Sequence, residues 1–491
     1  MLYVGVDLGT SSVKLLLMDE FADIKKIVSR EYPIYYPRTG WSEQNPEDWF
    51  DALMVAFEEL LQGQEKEQIE GISFSGQMHG LVILDENDEV IRPAILWNDG
   101  RTQDECDYLN NVIGQDKLSS CTGNMALTGF TAPKLLWVQK NEPENFEKIN
   151  KVMLPKDYVA FKLSGVYSTD VSDASGTLLF DVKNKEWSEE LLEIVGLSEE
   201  QLPTIYESCE VVGSLSDSVA SKLGLSPDVK IIAGGGDQAV AAVGTGTVGH
   251  GMCNVSLGTS GVVFVASNKY SEIENNALHM FAHADGKYHF MGVTLAAAAS
   301  NEWWMKNILA SEDYDLEQAK YKKVGHNDVY FLPYLMGERT PYNNPNARGV
   351  FIGMTMETSR SDMTGAILEG VAYSLRDSLE IIRNNGVEIN NIRINGGGAK
   401  SKLWCAIIAN VFDVEVNKIN SDEGPAFGAA ILAAVGCGKY ATVEEACEKL
   451  IKVTETIKQD KDIVERFNKK YEIYHGLYPA LKGTFEKISG G

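Results

Sequence analysis

Long apolar runs are missing from this chain. No stretch approaches the roughly 18 residues that a membrane-crossing helix needs, and the most apolar segment, 431–435 within a helix-like run at 425–435, is short and rich in Ala and Gly. No membrane span is expected. Basic residues are also scarce: 44 Lys and Arg stand against 70 Asp and Glu, a net charge of −26. Such a surface repels nucleic acid and anionic lipid, because neutralising phosphates takes clustered Lys and Arg. Cysteine is sparse too. Seven residues, an odd number without metal-ligand spacing, argue against a disulfide framework and read as reduced thiols, which fits the cytoplasm. The seven histidines show no zinc spacing either. No basic leader precedes the strand-like sequence at Leu2, so no secretory signal is expected.

What remains is an ordinary composition, 44% hydrophobic and 23% charged, spread over 491 residues, which is too long for one ordinary core. Two domains are expected. Residues 2–8 alternate and are β-branched, Gly9-Thr10-Ser11-Ser12 makes a turn, and 13–18 returns as a second strand, so a hairpin opens the chain. A third strand-like run lies at 31–36. Asn45-Pro46-Glu47-Asp48 reads as a cap, a first-position Pro and acids in the first turn of a helix, followed by Trp49, Leu53, Ala56, Phe57 and Leu60 at helical spacing. Residues 69–75 read as a buried strand, and 81–84 with 90–96 as another hairpin. The tail from Thr442 is charged, with Val443, Ala446, Leu450 and Val453 at helical spacing, and reads as a solvated helical cap.

An internal echo organises the whole. Asp7-Leu8-Gly9-Thr10-Ser11-Ser12 recurs as Ser256-Leu257-Gly258-Thr259-Ser260-Gly261, each between two strand-like runs. Two similar halves are the reading, split near the Gly-rich stretch 244–251. The expected division is 1–245, 246–440 and a helical extension 441–491.

The repeated turn has the chemistry of a phosphate loop. Gly lets the backbone approach an anion, and Thr and Ser supply hydroxyl and N–H donors. For one copy alone a plain hairpin turn would read the same; the pair favours two phosphate loops in a cleft. Asp7, at the end of the first strand, suits Mg²⁺ held through water. Two further Gly-rich turns follow strand-like runs, Gly234-Gly235-Gly236-Asp237-Gln238 and Asn395-Gly396-Gly397-Gly398-Ala399. Asp237 stands at a helix start, where it serves equally well as a cap. Gln77-Met78-His79 and Trp97-Asn98-Asp99 put polar side chains beside an aromatic at strand ends, which suits a small polyol, although His79 alone reads as a satisfied structural histidine.

Two long stretches, Gly129-Phe130-Thr131-Ala132-Pro133-Lys134 running on to Asn141, and Gly349-Val350-Phe351-Ile352-Gly353-Met354 with Asp362 to Glu369, resemble the signatures of the FGGY carbohydrate kinases. Trp41-Ser42-Glu43-Gln44, Ser75 to Gly80, Leu96 to Arg101, Leu154 to Tyr158 and Gly337-Glu338-Arg339-Thr340-Pro341 resemble in particular the members that phosphorylate xylulose. One departure is Gln238, where such members often carry Asn. The resemblance implies two α/β domains of the actin-like, ribonuclease H-like kind with an ATP and sugar cleft between them. It implies ATP and Mg²⁺ as cofactors, D-xylulose as the sugar, and a homodimer. By the same resemblance Asp237 is the general base and Asp7 holds Mg²⁺. Gln77, Met78, His79, Trp97, Asp237 and Gln238 line the sugar site. Gly9, Thr10 and Ser11 approach the transferred phosphate, Gly258 and Thr259 form the second loop, and Gly397, Gly398 and Lys402 lie against the adenosine.

Overall fold

The computed structural model describes residues 1–420 and 423–489. Its chain is built on two sheets of seven strands each. In the first, β1 (Leu2–Leu8), β2 (Ser12–Asp19), β3 (Ile24–Glu31), β4 (Ile69–Gly76) and β5 (Lys230–Ile232) lie in the order β3-β2-β1-β4-β5. In the second, β6 (Met252–Leu257), β7 (Gly261–Ser267), β8 (Tyr288–Thr294), β9 (Asn391–Asn395) and β10 (Val416–Ile419) lie in the order β8-β7-β6-β9-β10. In both, the second and third strands run antiparallel in a meander and the fourth and fifth run parallel to the first. The echoed turns join β1 to β2 and β6 to β7, so the repeat in sequence is a repeat in topology. The two-domain α/β fold stands as expected.

Parallel neighbours need crossovers, and helices supply them. α1 (Pro46–Leu60) joins β3 to β4; Asn45 caps it by accepting from the Glu47 N–H at 3.4 Å, and its apolar stripe, Trp49, Leu53 and Phe57 among it, is fully buried. α2 (Asp237–Gly244) follows β5. In the second domain α3 (Arg360–Asn384) precedes β9, α4 (Lys402–Phe412) joins β9 to β10, and α5 (Gly424–Gly436) follows β10.

α2 and α5 cross at glycines. A Cβ on Gly428 would sit 1.9 Å from the Val240 carbonyl oxygen, and one on Gly244 would sit 1.9 Å from that of Gly424. α5 also lies on the first domain's sheet, where a Cβ on Gly5 of β1 would sit 1.9 Å from the Ala426 oxygen. Tyr3, Leu16, Met18 and Ile232 of the first sheet thus share one core with Ala426–Ala434 and with Val443, Ala446 and Leu450.

Three expectations change. The third strand is Ile24–Glu31, not 31–36; its Lys, Arg and Glu residues belong to an outer strand with an exposed face, so no apolar run marks it. The hairpin at 81–96 is reduced to bridges, because Val82–Leu84 pairs instead with Lys151–Met153 and Ala94–Ile95 with Glu43–Gln44. Val453 begins a strand, Val453–Ile457, that pairs with β10. Nor is the tail merely solvated: Phe467, Tyr474 and Phe485 of its last two helices are buried in the second domain's core. Among the described residues no helix is long and apolar enough to cross a membrane.

Candidate active site

β1 and β4 run parallel with Asp7 opposite Ser75, and Gly235–Gly236 continue the sheet opposite Ser75–Gly76. The chain then enters α2 at Asp237. Gly236 occupies the cap position and no side chain caps this helix. Asp237 is therefore the first helical residue, with its carboxyl available for chemistry. Burial pushes the Asp7 carboxyl up to about 6, against the opposing pull of the Ser75 hydroxyl and the Lys14 charge. Burial, then the neighbouring Asp7 charge, pushes Asp237 up to about 7, with the Gln238 N–H groups opposing. Two carboxyls at one floor cannot both ionise freely, and one poised near neutrality suits proton transfer.

The start of α2 rests on a buried polar cluster. The Gly236 N–H donates to Ser172 Oγ at 3.1 Å, and Ser172 Oγ donates to Asp170 at 2.6 Å. Lys156 Nζ lies 2.6 Å from Asp157, 3.0 Å from Asp170 and 3.7 Å from Asp173, all four residues at most 1% exposed. Burial and the surrounding acids hold Asp173 well above the usual carboxylate range. A buried cation with this many acids tolerates no lost member cheaply, so the backbone beneath Asp237 is fixed.

The first loop is pinned from outside. Gly9 N–H donates to Ser12 O at 3.0 Å and the Tyr32 hydroxyl donates to Gly9 O. Gln44 Nε2 donates to Thr10 O at 2.7 Å, and Trp97 Nε1 to Thr10 Oγ1 at 2.9 Å, leaving the Trp97 ring 48% exposed above the loop. In the second loop the Gly258 and Thr259 carbonyls accept from Ala298 and Ala297, both at 2.9 Å. The N–H groups of Thr10, Ser11, Gly258 and Thr259 make no hydrogen bond among the described residues. Both turns offer unpaired donors, as an anion site requires.

Gln44 is the hub. Besides Thr10, its Oε1 accepts from Trp49 Nε1 and from Gln77 Nε2, both at 3.0 Å. Gln44→Leu should destabilise the fold by about 1–3 kcal/mol, the usual penalty for stranding buried donors, and should raise KM for the nucleotide through a loosened loop. Urea melts and initial rates test it; an unchanged KM would show that the loop holds itself.

On the sugar side, Met78 is buried against Gly236, whose added Cβ would lie 2.9 Å from Met78 Cγ. His79 follows with φ +69°, a turn that aims its ring at Gly176, and Nδ1 lies 2.6 Å from the Gly176 oxygen. Its carbonyl accepts from buried Lys134 at 2.8 Å, so the strand end is locked. Gln77 Oε1 is buried without a partner among the described residues. Asp99 is taken up by Arg101 at 2.6 Å and the Ser42 N–H at 2.6 Å.

A cavity of about 400 Å³ lies in the second domain, lined by Gly397, Gly398, Lys400, Ser401, Asn301 and Tyr314 among others, a size that suits a nucleoside. It borders the second loop, since a Cβ on Gly396 would lie 3.0 Å from the Gly258 nitrogen. Lys402 stands apart from these residues. It is exposed at the start of α4 and does not line this cavity; the 3₁₀ turn Gly397–Lys400 places Lys400 and Ser401 there instead.

Gln44, Ser75, Ser172 and Asp170 are site residues that sequence reasoning passed over. Gln44 and Ser75 sat inside recognised segments, whereas Asp170 and Ser172 carry no local pattern, because only folding brings them under Gly236.

Comparison with known proteins bears on the assignment. Residues 2–244 match the model for the FGGY family of carbohydrate kinases, N-terminal domain, and residues 253–437 match that for the C-terminal domain. The xylulose kinase of Bacillus subtilis is 39% identical over 98% of this chain and 97% of its own. The structure of a "xyloylose kinase" from Brucella ovis superposes with a TM-score of 0.94 at 40% identity, covering 99% of this chain and 100% of that one. A gluconate kinase from Lactobacillus acidophilus superposes with a TM-score of 0.94 at 26% identity, covering 99% of both chains. Two matched halves, the repeated sheet and the glycine turns at both strand ends agree: the chain belongs to the FGGY family of carbohydrate kinases.

Proposed function

We propose that the chain transfers the γ-phosphoryl group of ATP to the terminal hydroxyl of D-xylulose, giving D-xylulose 5-phosphate. The observation that carries the chemistry is Asp237, unspent as a cap and raised to about 7 beside a second carboxyl; the choice of sugar is supported by 39% identity to the Bacillus subtilis xylulose kinase along nearly the whole chain. Asp237 accepts the proton of the attacking hydroxyl as the new O–P bond forms, and Gln238 steadies it. Gln77, Met78, His79 and Trp97 hold the sugar, with Gln77 Oε1 an acceptor for one of its hydroxyls. The unpaired N–H groups of Thr10, Ser11, Gly258 and Thr259 receive phosphate oxygens, with Gly9 letting the backbone come close, and phosphoryl transfer asks the protein for little beyond this alignment and charge neutralisation. The adenosine lies in the cavity lined by Gly397 and Gly398.

Asp7 fits Mg²⁺: a buried carboxylate raised by desolvation, with no cluster of three or more metal ligands around it among the described residues. That donor set suits a cation that keeps its waters and takes its other ligands from phosphate. Bound there, Mg²⁺ would supply charge neutralisation of the triphosphate. We assign residues 1–245 to the sugar-binding domain, 246–440 to the nucleotide domain and 441–491 to the extension, whose last two residues lie outside the described ones. The free cysteines support a cytoplasmic location, and a homodimer is the expected assembly.

ADP release with Mg-ATP and a panel of D-xylulose, D-ribulose, gluconate and glycerol tests the reading. D-Xylulose should give the highest kcat/KM. A preference for gluconate would keep the kinase and replace the sugar. EDTA should abolish turnover and excess Mg²⁺ restore it; activity that survives chelation would remove the metal from Asp7.

A further inference from the structure

The loop Glu338–Thr340 is unusually well fixed for a connection. Glu338 is 2% exposed, and its carboxyl accepts from Thr294 Oγ1 at 2.6 Å, the Leu295 N–H at 3.0 Å, the Arg339 N–H at 2.8 Å and Ser374 Oγ at 3.3 Å. Thr340 N–H donates to Val293 O at 3.0 Å, and Thr340 Oγ1 accepts from the Val293 N–H at 3.0 Å. The backbone of Arg339 is thus bolted to the end of β8. Its guanidinium, by contrast, makes no hydrogen bond or ion pair among the described residues, although burial works against its charge. A partly buried guanidinium with a prepared backbone and no partner among the described residues asks for one.

Two imidazoles stand near it, one from each domain. His79 Nδ1 faces the Gly176 oxygen at 2.6 Å, and His279 Nδ1 faces Asn124 Oδ1 at 2.7 Å. The Asn124 amide nitrogen already donates to the oxygens of Thr122 and Met280, so its Oδ1 is an acceptor. Both rings therefore carry their proton on Nδ1, which leaves each Nε2 as an acceptor. Burial, aided by the Arg339 charge, holds both neutral. The Phe130 ring lies between them, 4.7 Å from His79 and 5.9 Å from His279. Beside Arg339, His279, Asn124, Thr340 and Asn343 lies a cavity with room for about one water, ≈ 10 Å³. That is the size of one oxygen-bearing group. From Gly236, next to Asp237, contacts run through Met78 and His79 to the Phe130 ring and on to His279, which lines one cavity with Arg339, so the guanidinium stands on the side of the sugar site away from Asp237.

We propose that Arg339 is a specificity-determining residue that binds the hydroxyl at C1 of the ketose, the end opposite the one phosphorylated. The guanidinium donates to the hydroxyl oxygen, and the hydroxyl donates to an imidazole Nε2. The inference rests on the ketopentose reading above and adds to it the residue that recognises the unreacting end.

The experiment compares kcat/KM for D-xylulose and 1-deoxy-D-xylulose with the wild type, Arg339→Met and Arg339→Lys. The wild type should favour D-xylulose by about 10–100-fold, as loss of a hydrogen bond to a charged group predicts. Arg339→Met should lose that advantage through KM for D-xylulose, so that its ratio between the two sugars approaches one, while KM for ATP holds. Arg339→Lys should retain part of the preference. A wild type that treats the two sugars alike would overturn the contact without any variant, leaving the sugar assignment intact. Equal losses on both sugars in Arg339→Met would reduce the residue to a structural one and overturn the proposal too. If the wild type phosphorylates neither ketose, the assignment of the substrate fails and the inference falls with it.

Discussion

Asp237→Asn should lower kcat by about 10²–10⁴, the range that a positioned general base supplies, while KM for ATP stays near its wild-type value. Activity is half of the expected result. The folded-state pKa of Asp237 is raised to about 7 from 3.8, so on raising the pH the unfolded chain loses its proton first. The stability that the protonated side chain contributes is therefore present at low pH and is lost as pH rises between those two values. A neutral Asn escapes this. In metal-free and nucleotide-free protein the variant should be more stable than the wild type by about 1–3 kcal/mol at pH 8, after allowing for solvent reaching a half-buried group, with the difference closing below about pH 4. Thermal melts across that range check it. A variant that is dead and no more stable at pH 8 would mean that Asp237 is compensated in the folded protein and is not poised for proton transfer.

Gly428→Ala carries the second large effect. Its methyl group would be placed 1.9 Å from the Val240 carbonyl oxygen and 2.8 Å from the Gly244 nitrogen. Both are backbone atoms, so no rotamer change relieves the clash; α2 and α5 must separate. A loss of about 2–4 kcal/mol is expected, at the upper end for overpacking because rigid backbone must move. Since α2 begins at Asp237, kcat should fall as well, even though Gly428 touches no substrate. Chemical denaturation with parallel kinetics tests both parts. Wild-type kcat with reduced stability would show that the crossing serves only cohesion, whereas a neutral substitution would mean that the two helices slide freely.

Much of this was legible in the chain. The echoed turn announced two halves because a phosphate-type turn between strands is local, and local sequence determines it. α1 was readable for the same reason, with Asn45, Pro46 and the Trp49–Leu60 stripe all in one short window. The acid at Asp237 was visible as well, but its role was not: only the structure shows Gly236 in the cap position and Asp7 near enough to raise its pKa. Strand β3 was displaced in the reading because an outer strand bearing Lys and Arg lacks the apolar signature of a buried one. The Lys156 cluster and the freedom of Arg339 had no sequence signature at all, since both depend on what lies close in space and, for Arg339, on what does not.

The placement of α5 on the first domain's sheet has a consequence for how the protein is made. A ribosome releases residues 1–245 long before it releases 424–451, yet much of the cover over the face of Tyr3, Leu16, Met18 and Ile232 comes from the later segment. During synthesis that face waits with part of its apolar side uncovered, because α5 is made last. The nascent chain is thus exposed to premature association for more than a third of its translation, and the step that ends this exposure is the same one that brings α5 against α2 beneath Asp237. Completion of the polypeptide and completion of the catalytic centre are one event.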